Sequence, residues 1–192
     1  RELLSKGESV RVFDKLFFGD EGLSAVSDRV DLIQGDVRSI DEEAFRGVDA
    51  VVHLAGLSND PTAEYNPRAN YEMNTIATER MATMAKKLGV RRFTFASTAS
   101  IYDRGLFSDD LVLDETAEVA PRAAYAVSNY DAEKILLRMA DDEFCPVIFR
   151  QGTVYGYSPR MRYDLVVNTF VKDALSKGAL TVSGGGEMWR PL

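Results

Sequence analysis

The sequence predicts an α/β fold in which helices cover both faces of a doubly wound, parallel sheet. Short apolar segments of strand length alternate along the chain with longer segments whose apolar residues recur at helical spacing. The strand candidates are mostly apolar, as expected of parallel strands that are buried on both faces. With 192 residues, 45% of them hydrophobic, the chain is long enough to form one domain with a sizeable core.

Six short apolar segments are predicted as strands. Turn-forming or small residues follow the first three of them: Asp14 closes the first, Gly35 and Asp36 the second, and Ala55 and Gly56 the third. The six predicted strands comprise residues 10–13, 30–34, 49–54, 92–96, 146–149 and 180–182.

Three long helices are predicted over residues 68–88, 123–142 and 164–176. In the first of them, apolar residues recur three and four positions apart, and Gly89 ends the pattern. A short helix is predicted over 41–46, and residues 1–7 are predicted to end a helix that Gly7 caps. The loop 103–122 is long and polar, and loops of this length in compact domains are usually functional or mobile.

Charge and cysteine content argue against several classes of function. The net charge is −7 and no block of Lys or Arg occurs, so neither nucleic acid nor an anionic membrane surface is an expected partner. No apolar run reaches the roughly 18 residues that predict a transmembrane helix. One Cys and one His predict neither a disulfide framework nor a metal site, and a reducing cytoplasm is the expected location. Cys145 and His53 are predicted as buried packing residues.

Asp14 is the residue that most directly indicates a dinucleotide site. An acidic residue at the end of the second strand of a dinucleotide-binding fold bonds the adenosine ribose, about 20 residues after a glycine-rich phosphate loop. That loop, with the first strand, would then precede Arg1, and Gly184–Gly186 cannot replace it because no strand-to-helix turn follows. A carboxylate repels a 2′-phosphate, so the predicted cofactor is NAD rather than NADP. The alternative is that Asp14 only forms a turn.

Other cofactor candidates follow the next strands. Asp36 is placed to accept a hydrogen bond from the adenine amino group. Ala55 and Gly56 are small where the backbone must approach a flat ligand. Asn74 lies on the first long helix, where it either contacts the cofactor or only caps and packs.

Six segments occur in an order and spacing that together resemble one family. They are VHLAG at 52–56, NTIAT at 74–78, FASTASIY at 95–102, the helix that contains Tyr125, RQGTVYG at 150–156 and the stretch 186–190. The chain resembles, over nearly its whole length, the extended short-chain dehydrogenases/reductases, in particular the NAD-dependent sugar-nucleotide epimerases and dehydratases such as UDP-glucose 4-epimerase. The resemblance implies a Rossmann-type domain over 1–192 without its first strand, in which 157–192 begins a substrate-binding lobe that is otherwise missing.

The resemblance also implies roles for individual residues. Thr98 takes the catalytic Ser/Thr position, where its hydroxyl would bond the substrate oxygen. Ala99 and Ser100 stand where sugar 4,6-dehydratases carry an Asp–Glu pair, which favours epimerisation or ketone reduction over dehydration. Thr153 and Arg190 would contact the nucleotide-sugar, with Arg190 holding its phosphates. Further implied cofactor contacts are Val37, Leu54, Ser58, Ala96 and Gln151.

Two tyrosines compete for the catalytic position on the second long helix. Tyr125 has the family context but Asn129 four residues later, whereas Tyr130 has Lys134 at that spacing. Both pairs share a helix face, but Tyr125 lies 27 residues after Thr98, close to family spacing, and Tyr130 lies 32 after it. The sequence therefore predicts Tyr125 as the proton-transfer residue, with Asn129 in the place of the family's Lys and Lys134 on the surface.

Asn129 lacks the charge that lowers the pKa of a catalytic tyrosine. Hydride-transfer chemistry is therefore predicted to be impaired, and a catalytically silent protein that binds a dinucleotide as a sensor or scaffold is the alternative. The predicted substrate is a nucleotide-sugar, and a homodimer is predicted through the helices 68–88 and 123–142, as the resemblance implies.

Overall fold

A computed structural model describes residues 1–102, 113–182 and 184–186. Its strands are Val10–Asp14 (β1), Val30–Gln34 (β2), Ala50–His53 (β3), Arg92–Thr98 (β4) and Cys145–Gln151 (β5). All described pairings are parallel, which confirms the predicted α/β class. The described strands form two sheets, in the orders β1-β2 and β3-β4-β5, rather than one continuous sheet.

The strand predicted at 180–182 is wrong. These residues have no regular structure, and Leu180 and Val182 are both more than half exposed. A three-residue apolar pattern forms a strand only where a neighbouring strand accepts its backbone hydrogen bonds, and no described strand does so here.

The register of the strands brings their carboxyl ends to common edges. In the first sheet Asp14 lies opposite Gln34. In the second sheet His53 lies opposite Phe95, and Thr98 lies opposite Gln151. The loop that follows β3 therefore lies beside the last residues of β4, at the edge where parallel α/β sheets bind ligands.

The described helices lie before β1 and after β3, and only short 3₁₀ turns separate β1, β2 and β3. The helices are Glu2–Ser5 (α1), Asp60–Tyr65 (α2), Pro67–Tyr71 (α3), Ala77–Lys87 (α4), Ala124–Met139 (α5) and Val166–Lys177 (α6). One π-helical turn occurs at Glu72–Ile76. Short 3₁₀ turns occur at Glu21–Leu23, Ser27–Arg29, Val37–Ser39, Glu42–Phe45, Ala99–Tyr102 and Gly184–Gly186.

The first predicted long helix is confirmed as a continuous helical segment, with a π turn inside it. Its residues form α3, the π turn and α4, and a further helix, α2, precedes it. The Asn59 side chain accepts the Thr62 N–H at 2.8 Å, and the Asn66 side chain accepts the Ala69 N–H at 3.0 Å. Each asparagine is an N-cap and a proline lies in each first turn, so α2 and α3 are separated at Asn66.

Polar caps and a glycine define the other helix ends. The helix α5 ends before the predicted residue 142, because the Asp141 carboxylate accepts the N–H groups of Glu143 and Phe144 and forms a turn. The predicted short helix is a 3₁₀ turn capped by Asp41. At Gly7 the prediction is confirmed: its φ is +83°, and the Glu8 N–H bonds the Leu3 carbonyl at 3.1 Å.

The main apolar core lies between the β3-β4-β5 sheet and the helices α4 and α5. Its largest fully buried side chains are Phe93, Phe144 and Leu136. Cys145 is exposed, contrary to prediction, because side chains alternate along a strand and its side chain lies on the opposite face from the partly buried Pro146.

His53 is a packing residue, as predicted. Its side chain is buried, and its ring centroid lies 5.4 Å from that of Phe95. The ring Nε2 lies 2.8 Å from the Thr78 Oγ1. Burial lowers the pKa of His53 to about 4, so the imidazole is neutral near pH 7.

Helices able to cross a membrane are absent from the described residues, since none is both long and apolar enough. In the same residues, no group of three or more His, Cys, Asp or Glu side chains is arranged to hold a metal ion.

Candidate active site

A solvent-open cleft lies at the carboxyl ends of β3 and β4 and brings most of the predicted site together. Eight of the ten residues that line it are predicted cofactor or catalytic residues. Those eight are Leu54, Ala55, Gly56, Ser58, Asn74, Ala96, Tyr125 and Asn129, and the other two are Leu57 and Phe95. Residues up to 75 positions apart in the chain are therefore assembled by strand register and helix packing.

Asn74 holds the loop that forms one wall of the cleft. Its Oδ1 accepts the Leu57 N–H at 2.8 Å, and its Nδ2 donates to the Leu57 carbonyl at 3.0 Å and to the Asn70 Oδ1 at 2.9 Å. A Cβ atom on Gly56 would lie 2.7 Å from the Asn74 Oδ1. The geometry therefore favours the packing alternative for Asn74, and Gly56 is small because this amide is close.

A buried hydrogen-bond network joins the same asparagine to α5. The Ser128 Oγ accepts from the Asn70 Nδ2 at 2.8 Å, and the Thr75 Oγ1 donates to the Ser128 carbonyl at 2.8 Å. All of these side chains are buried. The π turn carries Asn74 and Thr75 into this contact, and π turns inside helices often occur at functional sites. Sequence reasoning missed this network, because hydrogen bonds between distant helices have no local signature.

Tyr125 lies in the first turn of α5 and is half-buried against the cleft. The N-terminus of this helix is held by Glu64, whose Oε1 accepts the Ala124 N–H at 3.0 Å. Burial raises the pKa of the Tyr125 phenol. The hydrogen bond with Thr98 lowers that pKa, the Asp60 carboxylate raises it, and the charge of Arg162 lowers it. Together these effects raise the pKa of Tyr125, so the phenol is protonated at neutral pH.

Thr98 is the last residue of β4 and is nearly fully buried beside Tyr125. Its Oγ1 accepts the Ser100 N–H at 3.1 Å, and its side chain is near enough to the phenol to lower the pKa of Tyr125. The predicted proton-transfer residue and the predicted substrate-binding threonine therefore lie side by side.

A buried ion pair supports the strand end that carries Thr98. Glu133, on α5, accepts hydrogen bonds from the Ser97 hydroxyl and from the Arg150 guanidinium, the latter at 2.9 and 3.1 Å. The Arg150 Nη1 also donates to the Tyr102 hydroxyl at 3.2 Å. The network fixes β4 and β5 against α5 directly beneath the site.

Asn129 lies one turn after Tyr125 and is buried. Its Nδ2 donates to the Tyr125 backbone carbonyl at 2.8 Å. It is thus bonded to its own helix and brings no charge to the phenol.

The competing tyrosine pair does not line the cleft. Lys134 forms an ion pair with Asp131 at 2.6 Å, and its Nζ lies 4.8 Å from the centroid of the Tyr130 ring. Its side chain is partly exposed. This geometry agrees with the prediction of a surface Lys134, and it supports the choice of Tyr125.

At the end of β1 the adenosine candidates are charged and more exposed. Asp14 is exposed, and its Oδ1 accepts the Leu16 N–H at 2.7 Å. The Asp36 carboxylate forms ion pairs with Lys15 at 2.8 Å and with Arg38 at 2.6 Å. The Arg38 hydrogen bond holds the pKa of Asp36 well below its usual range. Both Asp36 oxygens already have donors, so the structure shows a loop-holding role, and an adenine contact stays a prediction.

The remaining predicted residues lie outside the cleft. The Val37 side chain is buried in the apolar core, because it follows the Asp36 cap and turns inward, so only its backbone could reach a ligand. Gln151 ends β5 and Thr153 follows it, and neither lines the cleft. Arg190 lies outside the described residues, as do residues 103–112 of the predicted long loop.

Arg162 is a cation at the cleft that no sequence pattern indicated. Its Nη1 donates to the Ser58 Oγ at 3.3 Å, and its Nη2 lies 2.6 Å from the Asp164 Oδ2. Ser58 and Arg162 are 104 positions apart. A sequence offers no spacing rule for such a contact.

Comparisons with known proteins agree with the resemblance inferred from the sequence. A model of the family described as NAD dependent epimerase/dehydratase family matches residues 1–192. UDP-glucuronic acid decarboxylase 1 of Xenopus tropicalis is 30% identical over 98% of this chain, and an uncharacterized UDP-glucose epimerase, YtcB, of Bacillus subtilis is 29% identical over 83% of it. The chain covers 45% and 48% of these two relatives, which is about half their length.

A solved structure of MoeE5 in complex with UDP-glucose and NAD superposes on 90% of this chain with a TM-score of 0.74 and 25% identity, and the chain covers 55% of that structure. The predicted family resemblance and the predicted cofactor, NAD, are thereby confirmed. The fit of the chain itself agrees with this, since small residues at the end of β3 leave an open cleft beside Tyr125.

Proposed function

We propose, from the premise that this chain belongs to the NAD dependent epimerase/dehydratase family, that it is the cofactor-binding part of an enzyme that epimerises or reduces a nucleotide-sugar. The observation that carries the proposal is that Tyr125 lines one cleft with the small loop that follows β3, while Thr98 lies next to Tyr125. The named relatives are associated with UDP-glucuronic acid and UDP-glucose, so a UDP-linked hexose is the proposed substrate class.

When bound, NAD would supply the hydride acceptor and donor for a sugar carbon. Tyr125 would transfer the proton of the sugar oxygen on that carbon, within hydrogen-bond reach of its phenol. Thr98 would hold the same oxygen and the phenol together. Because burial raises the Tyr125 pKa, the resting phenol is protonated and is poised to donate a proton to a ketone oxygen.

The reverse proton transfer is the demanding step. Bringing a tyrosine with an ordinary pKa near 10 to neutrality takes about 4 kcal/mol of differential stabilisation of the phenolate. Asn129 supplies none of this as charge, since it is a neutral amide bonded to a backbone carbonyl. We therefore propose that turnover is slow relative to a variant that carries a Lys at this position.

Dehydration is the less favoured reaction of the family for this chain. Residues Ala99 and Ser100 follow Thr98 in a 3₁₀ turn and carry no carboxyl group. Removal of water from a sugar needs a group that takes a proton from carbon and a group that protonates the leaving hydroxyl. This is the reason for proposing an epimerase or a ketone reductase.

The proposed assembly is a homodimer through α3–α4 and α5. Leu137 on α5 and Ile76 in the π turn are about half exposed, and burial of such apolar side chains would stabilise a helix bundle between two copies. Light scattering of the complete protein at micromolar concentration tests this, and a monomer would refute it.

The function is tested with the complete protein by NAD titration in a calorimeter, followed by turnover assays with UDP-glucose and UDP-glucuronic acid. Binding of NAD together with conversion of a UDP-sugar is the expected result. Binding without conversion favours the second candidate function, a catalytically silent sensor or scaffold, which the uncharged Asn129 supports. Absence of NAD binding would contradict both.

A further inference from the structure

We infer that Arg162 supplies, from outside the catalytic helix, the positive charge near Tyr125 that position 129 lacks. The inference deepens the proposed function and rests on it for its importance to turnover. It makes Arg162 a positioning residue, which acts on the reaction through the phenol.

The Arg162 guanidinium lies beside the cleft. Arg162 belongs to the segment between β5 and α6, and its Nη1 donates to the Ser58 Oγ at 3.3 Å. Ser58 and Tyr125 both line the same cleft. The guanidinium is therefore bonded to a residue of the same cleft wall that Tyr125 faces.

Hydrogen bonds from two neighbouring residues hold Arg162 in this position. The Asn168 side chain, buried on α6, donates to the Arg162 carbonyl at 2.9 Å and accepts the Gly156 N–H at 3.0 Å. The Asp164 carboxylate accepts hydrogen bonds from the Arg162 Nε at 3.2 Å and from its Nη2 at 2.6 Å. This forked pair leaves Nη1 directed to Ser58 and limits the positions that the side chain can adopt.

Charged residues near the Tyr125 phenol act on it in opposite directions. Among the described residues, the charged groups that act on Tyr125 are Asp60 from α2, which raises its pKa, and Arg162, which lowers it. Asn129 is neutral, and Lys134 is paired with Asp131 away from the cleft. An arginine remains charged at every working pH, so Arg162 favours the phenolate throughout, with its effect reduced by the opposite charge of Asp164.

The test is a titration of the Tyr125 phenol by NMR in protein carrying ¹³Cζ-tyrosine, without cofactor or substrate, with the signal assigned by Tyr125→Phe. Arg162→Gln should raise the proton affinity of Tyr125 about twofold or more, because removal of a nearby unit charge changes an ionisation equilibrium by about this factor even in a water-like dielectric. Arg162→Lys, which keeps the charge, should restore most of the lost effect. Asp164→Asn should lower the proton affinity.

The matched control is Arg160→Gln, which removes the same charge two residues away. The Arg160 guanidinium lies 3.3 Å from the centroid of the Phe18 ring, and among the described residues Arg160 is not one of the charges that act on Tyr125. It should leave the Tyr125 titration unchanged. The inference is overturned if Arg160→Gln and Arg162→Gln shift the Tyr125 titration equally. It is also overturned if neither Arg162→Gln nor Asp164→Asn shifts that titration in folded protein.

This measurement separates the inference from the proposed function. If Tyr125 responds to Arg162 while the complete protein converts no UDP-sugar, the proposed function fails and the inference stands. If the protein converts a UDP-sugar while Arg162→Gln leaves the Tyr125 titration unchanged, the inference fails and the proposed function stands.

Discussion

The wall that joins the loop after β3 to α5 is held by neutral polar side chains that are buried, whereas the loop after β1 is held by ionised side chains that are more exposed. Asn74, Ser128 and Asn129 each bond backbone or one another in the first region. Asp36 is held by Lys15 and Arg38 in the second.

The difference follows from what each region must do. Buried amides and hydroxyls fix a backbone wall without introducing charge beside Tyr125, and they are costly to disrupt because a lost partner leaves a buried polar group unsatisfied. Exposed ion pairs contribute little to stability, but they set the local potential. The cleft end should therefore be the more sensitive of the two to substitution, in both activity and stability.

The largest effect is expected at the phenol. Tyr125→Phe removes the proposed proton-transfer group and should lower turnover about 10²- to 10⁴-fold. NAD affinity, measured by calorimetry, should change far less, since the ring remains. Equal turnover of the variant and the parent protein on a UDP-sugar would remove Tyr125 from the mechanism.

A gain of function is expected next to it. Asn129→Lys introduces a charge one turn after Tyr125 and should raise turnover about tenfold, the equivalent of about 1.4 kcal/mol of phenolate stabilisation. Asn129→Gln, which stays neutral, is the matched control and should give no gain. The impairment hypothesis fails if the Lys variant binds NAD and is no faster than the parent.

The role of Asn74 in the wall of the cleft can be tested by measuring the free energy of unfolding. Gly56→Ala places a Cβ 2.7 Å from the Asn74 Oδ1 and should lower the free energy of unfolding by about 1–3 kcal/mol. Gly22→Ala is the control, because no atom lies within 4 Å of its added Cβ and its φ is not positive. Urea denaturation measures both, and a smaller loss for Gly56→Ala than for Gly22→Ala would argue against the role given to Asn74.

The smallest effect is expected at the charged end. The pKa of Asp36 is lowered in the folded protein by Arg38, so its contribution to stability is present above the unfolded pKa, near 3.9, and is lost as the pH falls. Asp36→Asn should therefore cost about 1 kcal/mol or less at pH 7, and its difference from the parent should shrink below about pH 4. The control is Asp142→Asn at an exposed carboxylate, which should change the stability at pH 7 less than Asp36→Asn does. A constant Asp36 difference across the pH range would count against the ion pairs.

Local sequence was enough to predict much of the fold. The strand at 30–34 was predicted with its observed bounds, and Gly7 was predicted as a helix cap. Those features depend on neighbouring residues alone. The start of the helix after Asn66 also has a local signal, an asparagine before a proline, and it agrees with the predicted start at 68.

Much of the candidate site was predicted as well, because Tyr125, Thr98 and the loop after β3 occur in motifs with a definite spacing. What could not be predicted was the use of each side chain. Asn74 was considered for the cofactor, yet its amide holds Leu57, and Asp36 was placed at adenine, yet both of its oxygens bond cations.

The sequence by itself determined the alternation of strands and helices, the family and the identity of the two residues that meet at the cleft. These depend on short-range spacing, which a linear pattern preserves. Only the tertiary structure decided that the Asn74 amide holds Leu57 and that Arg162 reaches Ser58 from 104 residues away. Electrostatic and hydrogen-bond partners depend on distance in space, and the folding of distant segments against one another sets that distance.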